Sequence, residues 1–102
     1  MFTRTETKQK IISLLPKSKR DNWGYGANHI QDVAEKVLTK KEFNAYLKKS
    51  NKDVDACEGM DGQLFNGQYF DWRQFETQGV QILSAFLDYF DNTQLIKILG
   101  AM

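Results

Sequence analysis

The sequence predicts a mainly helical α+β domain, with four or five helices and one short β-hairpin around Asn66-Gly67. Two Thr-x-x-Glu capping boxes, which begin at Thr3 and Thr39, mark helix N-termini. Apolar residues recur at steps of three and four in two stretches, which is the period of an α-helix. Asn-Gly between two short apolar runs is the preferred dipeptide of a type I′ hairpin turn.

The first helix begins at Thr3 and ends near Pro16, because proline lacks an amide and disfavours helical geometry in the residue before it. The stretch 17–27 shows no regular period, and its two glycines alternate with aromatic residues, so it is predicted to be a loop. Asn28 is then the expected N-cap of a second helix, which runs to Leu38 and has the clearest helical period in the chain.

Thr39 caps a third helix, which is predicted to end near Ser50 after a pair of lysines. The following stretch, 50–62, is polar, acidic and glycine-bearing and is predicted to be a loop. The Asn66-Gly67 hairpin comes next, and its aromatic residues must pack on a helix because an isolated hairpin is marginally stable.

Asp71 is the expected N-cap of one long helix over 72–91, whose aromatic stripe is predicted to form the core. Gly79 lies inside it and is a candidate kink or close crossing point. The final segment, 93–99, suits either a helix capped by Thr93 or an edge strand, and the helix is the preferred interpretation.

The length of 102 residues and the 41% hydrophobic content fit a single domain, 1–102, with one core. A lone cysteine, Cys57, excludes an internal disulfide, and the polar first ten residues do not resemble a secretion signal. No apolar run approaches the ~18 to 20 residues that span a bilayer. We therefore expect a small soluble protein in the cytoplasm, with no membrane partner.

Charge is distributed unevenly along the chain. Residues 1–50 carry eleven Lys/Arg against five Asp/Glu, whereas residues 51–102 carry three against eight. This asymmetry fits a basic face, an acidic face, or two halves that attract each other in the fold. Ordinary solvated helix faces would produce it as well.

Catalytic and cofactor signatures are missing from the sequence. His29 is the only histidine, and His29 with Cys57 follows no metal-site spacing. The acidic stretch 53–61 lacks the glycine and the glutamate that a calcium-binding loop needs at fixed positions. There is no nucleophile elbow and no phosphate-binding glycine loop. We expect no enzymatic activity, no cofactor and no metal.

The expected function is binding of a protein partner by ring-bearing loops. Aromatic residues anchor protein interfaces, and the candidate partner-binding residues are Trp23, Tyr25, Phe65 and Tyr69. Such a protein would be a regulator or inhibitor of a larger protein assembly, of the kind that bacteria, plasmids or phages encode. A homodimer through the aromatic stripe is a variant of this interpretation, and packing of Trp23 into the core is the structural alternative.

The alternative function is nucleic-acid binding by the basic N-terminal half. Lysine and arginine neutralise phosphates, and nearby aromatic rings stack on unpaired bases. The candidate residues are Lys17, Lys19, Arg20, Lys40 and Lys41. The structural alternative is that these cations are solvated.

Overall fold

The computed structural model describes residues 2–20 and 22–102, and over these residues it contains seven helices and one two-stranded antiparallel sheet. The predicted α+β class is confirmed, with more helices than the four or five expected. The elements are α1 (Arg4–Leu14), α2 (Lys17–Arg20), α3 (Trp23–Val37), α4 (Lys40–Ala56), β1 (Gly62–Phe65), β2 (Gln68–Asp71), α5 (Gln74–Thr77), α6 (Gly79–Leu87) and α7 (Asn92–Gly100).

A single hydrophobic cluster connects all the longer helices and the hairpin. The apolar helix α6 packs against α1, α3, α5 and β1, and its residues Ile82, Leu83 and Leu87 are completely buried. Burial of apolar surface is the dominant favourable contribution to folding. The core therefore lies in the aromatic-rich part of the sequence, as predicted.

The two predicted capping boxes are confirmed. The hydroxyls of Thr3 and Thr39 each accept a hydrogen bond from the third helical amide, and the carboxylates of Glu6 and Glu42 each accept one from the cap amide. The first helix ends before Pro16, as expected.

The prediction of a loop over 17–27 is wrong, because this stretch contains α2 and the beginning of α3. Pro16 ends one helix and opens the next, because its carbonyl accepts from the amides of Lys19 and Arg20. The N-cap of α3 is Asn22 rather than Asn28.

The prediction that the third helix ends near Ser50 is also wrong, because α4 continues to Ala56. Asp53 contributes to this extension. Its Oδ2 accepts a hydrogen bond from the hydroxyl of Tyr89 at 2.6 Å and from the amide of Asn66 at 2.8 Å. The end of α4 is thus attached both to the hairpin turn and to the segment after α6.

The hairpin has the predicted turn. Asn66 and Gly67 have φ values of 49° and 88°, which are the positive values that both central residues of a type I′ turn require. The register pairs Leu64 with Tyr69 and Gly62 with Asp71.

The long helix predicted over 72–91 is broken. Gln78 leaves helical geometry, with φ −125° and ψ 41°, and separates the one-turn helix α5 from α6. The N-cap of α5 is Arg73 rather than Asp71, although Asp71 Oδ1 accepts from the amides of Arg73 and Gln74 in the turn that leads into α5. The final segment is helical, as preferred, but its N-cap is Asp91 rather than Thr93.

The basic and acidic halves of the chain meet inside the fold. Asp88 accepts from Arg4 Nη2 at 3.1 Å and from Lys8 Nζ at 2.9 Å, so a small part of the excess charge of each half is paired within the molecule. The pair of Lys97 Nζ with Glu42 Oε1, at 3.4 Å, joins the minority charges of the two halves and does not reduce the asymmetry. Among the described residues, no helix is both long enough and apolar enough to cross a membrane.

Candidate binding surfaces

Two of the four predicted partner-binding residues belong to the core instead of the surface. Phe65 is only 3% exposed. Trp23 is half-buried and packs edge-on against Phe65 and Phe75, with ring centroids 5.5 and 4.8 Å apart. These rings contribute to stability, since edge-to-face aromatic pairs are favourable beyond the area they bury.

Tyr25 is 63% exposed, but it is separated from the other rings. It lies two residues after Trp23 on α3, a rotation of about 200° around the helix axis. Because Trp23 faces the core, Tyr25 faces solvent on the opposite side. The predicted pair Trp23 and Tyr25 is therefore divided between the interior and the surface.

Three exposed apolar residues lie at or next to the open end of the hairpin, and we call them the hairpin-base surface: Met60, Tyr69 and Trp72. These side chains are 48%, 40% and 52% exposed. The amide of Trp72 donates to the carbonyl of Asp61 at 2.9 Å, which holds the backbone of Trp72 next to the segment that carries Met60. The Tyr69 hydroxyl lies over Gly62, 2.7 Å from where a Cβ would stand, so Tyr69 joins the same end.

Sequence reasoning missed Trp72 and Met60. It placed Trp72 in the buried stripe of a long helix, whereas Trp72 lies in the turn before α5 and its ring contacts only the edge of the core at Phe75. Strand alternation locates only Tyr69, because Phe70 faces the core and its neighbour on β2 faces outward. The sequence carries no such signal for Met60 and Trp72, which lie outside the strands.

Two carboxylates border the hairpin-base surface. Asp61 is exposed, and Asp71 is half-buried, with its Oδ2 3.7 Å from Nη2 of Arg73. The pKa of Tyr69 is raised, first by desolvation and then by the negative charges of Asp61 and Asp71. The arrangement combines exposed anchoring side chains with an acidic rim.

The predicted nucleic-acid residues lie in two separate places. Lys17, Lys19 and Arg20 are on α2, whereas Lys40 and Lys41 form the first turn of α4. The 15-residue helix α3 lies between them, a distance of about 22 Å along its axis. The structure therefore does not join the two groups into one basic patch.

One of the α2 cations, Lys19, has a partner on α3. Lys19 Nζ lies 2.9 Å from Nδ1 of His29. The pKa of His29 is lowered, first by desolvation and then by the positive charge of Lys19, so the neutral imidazole accepts a hydrogen bond from the ammonium group. This pair contributes to the packing of α2 on α3.

Cys57 and His29 have separate surroundings. The buried Cys57 Sγ accepts a hydrogen bond from the amide of Leu64 at 3.1 Å, where α4 meets the hairpin. Within the described part of the chain, no group of three or more His, Cys, Asp or Glu residues is arranged to hold a metal ion.

Comparison of this chain with protein-family models, with curated proteins and with solved structures gives no match.

Proposed function

We propose that this protein is a non-enzymatic protein-binding module and that the hairpin-base surface is its contact surface. The supporting observation is the exposure of Met60, Tyr69 and Trp72 around the open end of the hairpin, while most other rings of the 64–90 stretch are buried. Tryptophan, tyrosine and methionine are enriched in protein interfaces. Half of the Trp72 side chain is still exposed in the free protein, so a partner that covers it would bury additional apolar surface.

The charges around this surface indicate the chemistry of the partner. The carboxylates of Asp61 and Asp71 act on Tyr69 and give this surface an acidic rim, and Arg73 compensates only Asp71. Complementary charge increases association rates and selects partners. The proposed partner therefore presents an apolar pocket bordered by lysine or arginine, and the module would act as a regulator or inhibitor by occupying that site on a larger protein.

Affinity capture with three baits tests the proposal. The wild type, a Tyr69→Ala/Trp72→Ala variant and a control Phe2→Ala/Ile96→Ala variant are each incubated with lysate of the cells that encode the protein. Phe2 and Ile96 are as exposed as Trp72, at 52% and 57%, but lie just before α1 and on α7. We expect the wild type and the control to recover the same protein and the hairpin variant to lose it.

The recovered protein is then titrated with each variant by calorimetry. Loss of two central anchors is expected to weaken binding by at least about 30-fold, since an interface anchor contributes roughly 2 kcal/mol or more. Equal affinity of the hairpin variant and the control would remove the hairpin-base surface from the proposal. Failure of the wild type to retain any protein would contradict the proposed function itself.

A further inference from the structure

A second surface, independent of the hairpin-base surface, runs along the outer side of α4. It consists of five exposed lysines, which we call the lysine face: Lys40, Lys41, Lys48, Lys49 and Lys52. Over the described residues, none of these lysines takes part in an ion pair. A shallow groove of about 640 Å³ follows this side of the helix.

Two of the three acidic residues of α4 are engaged elsewhere in the fold. Glu42 caps the helix and contacts Gln94 and Lys97 of α7. Asp53 is bonded to Tyr89 and to the hairpin turn, although it also borders Lys49 and Lys52. Asp55, near the C-terminus of α4, lies in the groove with Lys48 and Lys52. The outer side of α4 therefore carries more lysines than carboxylates.

The positions of these lysines are unfavourable for the helix itself. Lys40 and Lys41 occupy the first turn, where the helix dipole favours negative charge. Lys48 and Lys52 are four residues apart, a spacing at which like charges repel. A polyanion bound along the helix would relieve both effects, whereas water and counterions only screen them.

From this arrangement we propose that the lysine face binds the phosphate backbone of duplex DNA. Lys40 and Lys52 are about 18 Å apart along the helix axis, and duplex DNA carries one charge per ~1.7 Å of its axis. Asn44 and Asn51 are exposed between the lysines and supply hydrogen-bond donors of the kind that phosphates accept. This face of α4 carries no aromatic side chain to stack on unpaired bases, which favours duplex over single-stranded nucleic acid.

Fluorescence anisotropy with a labelled 20-base-pair duplex of arbitrary sequence tests the proposal. With four phosphate contacts, the log–log slope of affinity against salt is about −3.6, and Kd rises about 150-fold between 50 and 200 mM salt. In the Lys48→Gln/Lys52→Gln variant two contacts are lost. The log–log slope is then about −1.8, and Kd rises only about 12-fold between 50 and 200 mM salt.

The control variant, Lys10→Gln/Lys36→Gln, removes the same charge from exposed positions on α1 and α3. It is expected to bind the duplex with the wild-type salt slope. Circular dichroism of all three proteins verifies that they are folded. An equal reduction of the slope in both variants would show that net charge, rather than the lysine face, drives binding, and would overturn the proposal.

Competition with two other polyanions tests whether the lysine face prefers duplex DNA. Unlabelled single-stranded DNA of the same length is expected to compete more weakly than the duplex, and poly-glutamate more weakly still. Tighter binding of the single strand would overturn the choice of duplex DNA. Competition by poly-glutamate equal to that by the duplex would assign the face to acidic proteins. Absence of duplex binding at 50 mM salt would overturn the proposal without affecting the hairpin-base surface.

Discussion

Gly24 and Gly26 are both in the first turns of α3, but they have different surroundings. A Cβ at Gly26 would lie 2.6 Å from the carbonyl oxygen of Lys19 and 3.0 Å from a methyl group of Leu83. A Cβ at Gly24 would meet only Asn22 Oδ1, at an ordinary 3.5 Å. Gly26 therefore permits α2 and α6 to approach α3 closely, whereas Gly24 has no such role.

We predict opposite effects of alanine at these two positions. Gly26→Ala is expected to lower the free energy of unfolding by about 1 to 3 kcal/mol, because the backbone of α2 must move. Gly24→Ala is expected to raise it by up to about 1 kcal/mol through helix propensity. Urea denaturation measures both. A gain in stability at Gly26 would show that α2 is not packed against α3 as described.

Residues whose interactions are local were predictable from the sequence. The caps Thr3 and Thr39 bond within three residues, and the Asn66-Gly67 turn needs only its own backbone angles. Gly26 was read as a loop residue because glycine is rare in helices. Its partners, a carbonyl of α2 and a side chain of α6, come together only in the fold.

At the scale of the element, α4 depends on the Glu42 carboxylate at its N-terminus. The amide of Thr39 donates to Glu42 Oε1 at 2.9 Å. This bond, with smaller contributions from Gln94 and Lys97, holds the pKa of Glu42 at about 2, below its ordinary value of 4.5. A lowered pKa means that the carboxylate stabilises the fold above pH 4.5 and that this contribution is lost as the pH falls towards 2.

We therefore predict that Glu42→Gln reduces the pH dependence of stability between pH 4.5 and 2. The difference in unfolding free energy between wild type and variant, measured by urea denaturation at several pH values, should shrink as the pH falls through this range. Glu35→Gln, an exposed carboxylate on α3, serves as the control of equal charge. A difference that stays constant with pH would contradict the role of Glu42.

Element boundaries were the least predictable feature, and each error has a tertiary cause. The polar stretch after Ser50 continues the helix because Asp53 reaches Tyr89 and Asn66 from it. The aromatic period over 72–90 spans two helices, because the chain leaves helical geometry at Gln78 before entering α6. Periodicity alone does not locate such a break.

At the scale of the whole molecule, one hydrophobic cluster includes residues of the longer helices and of both strands. We predict a single cooperative unfolding transition, as is usual for one small core. Tryptophan fluorescence, far-UV circular dichroism and reaction of the buried Cys57 thiol should give the same urea midpoint. If Cys57 is labelled at a lower urea concentration than the one at which the helical circular dichroism signal is lost, the hairpin separates from α4 before the helices unfold.

The charge asymmetry was visible in the sequence, but the surfaces were not. The candidate cations Lys17 and Lys41 come from regions that α3 holds apart. The candidate ring Phe65 is buried, while Trp72, assigned to the core, is exposed. Hydrophobicity predicts how much surface is buried, and only the packing of specific helices decides which rings remain outside.

The single carboxylate of Asp53 has a consequence for both proposals. By bonding to Tyr89 and to the hairpin turn, it links the C-terminal part of α4 to the hairpin. This link restrains the position of the lysine face relative to the hairpin-base surface. A protein with both ligands bound would work as a spacer of set length, which places its partner at one distance from the DNA axis and in one rotational phase around it.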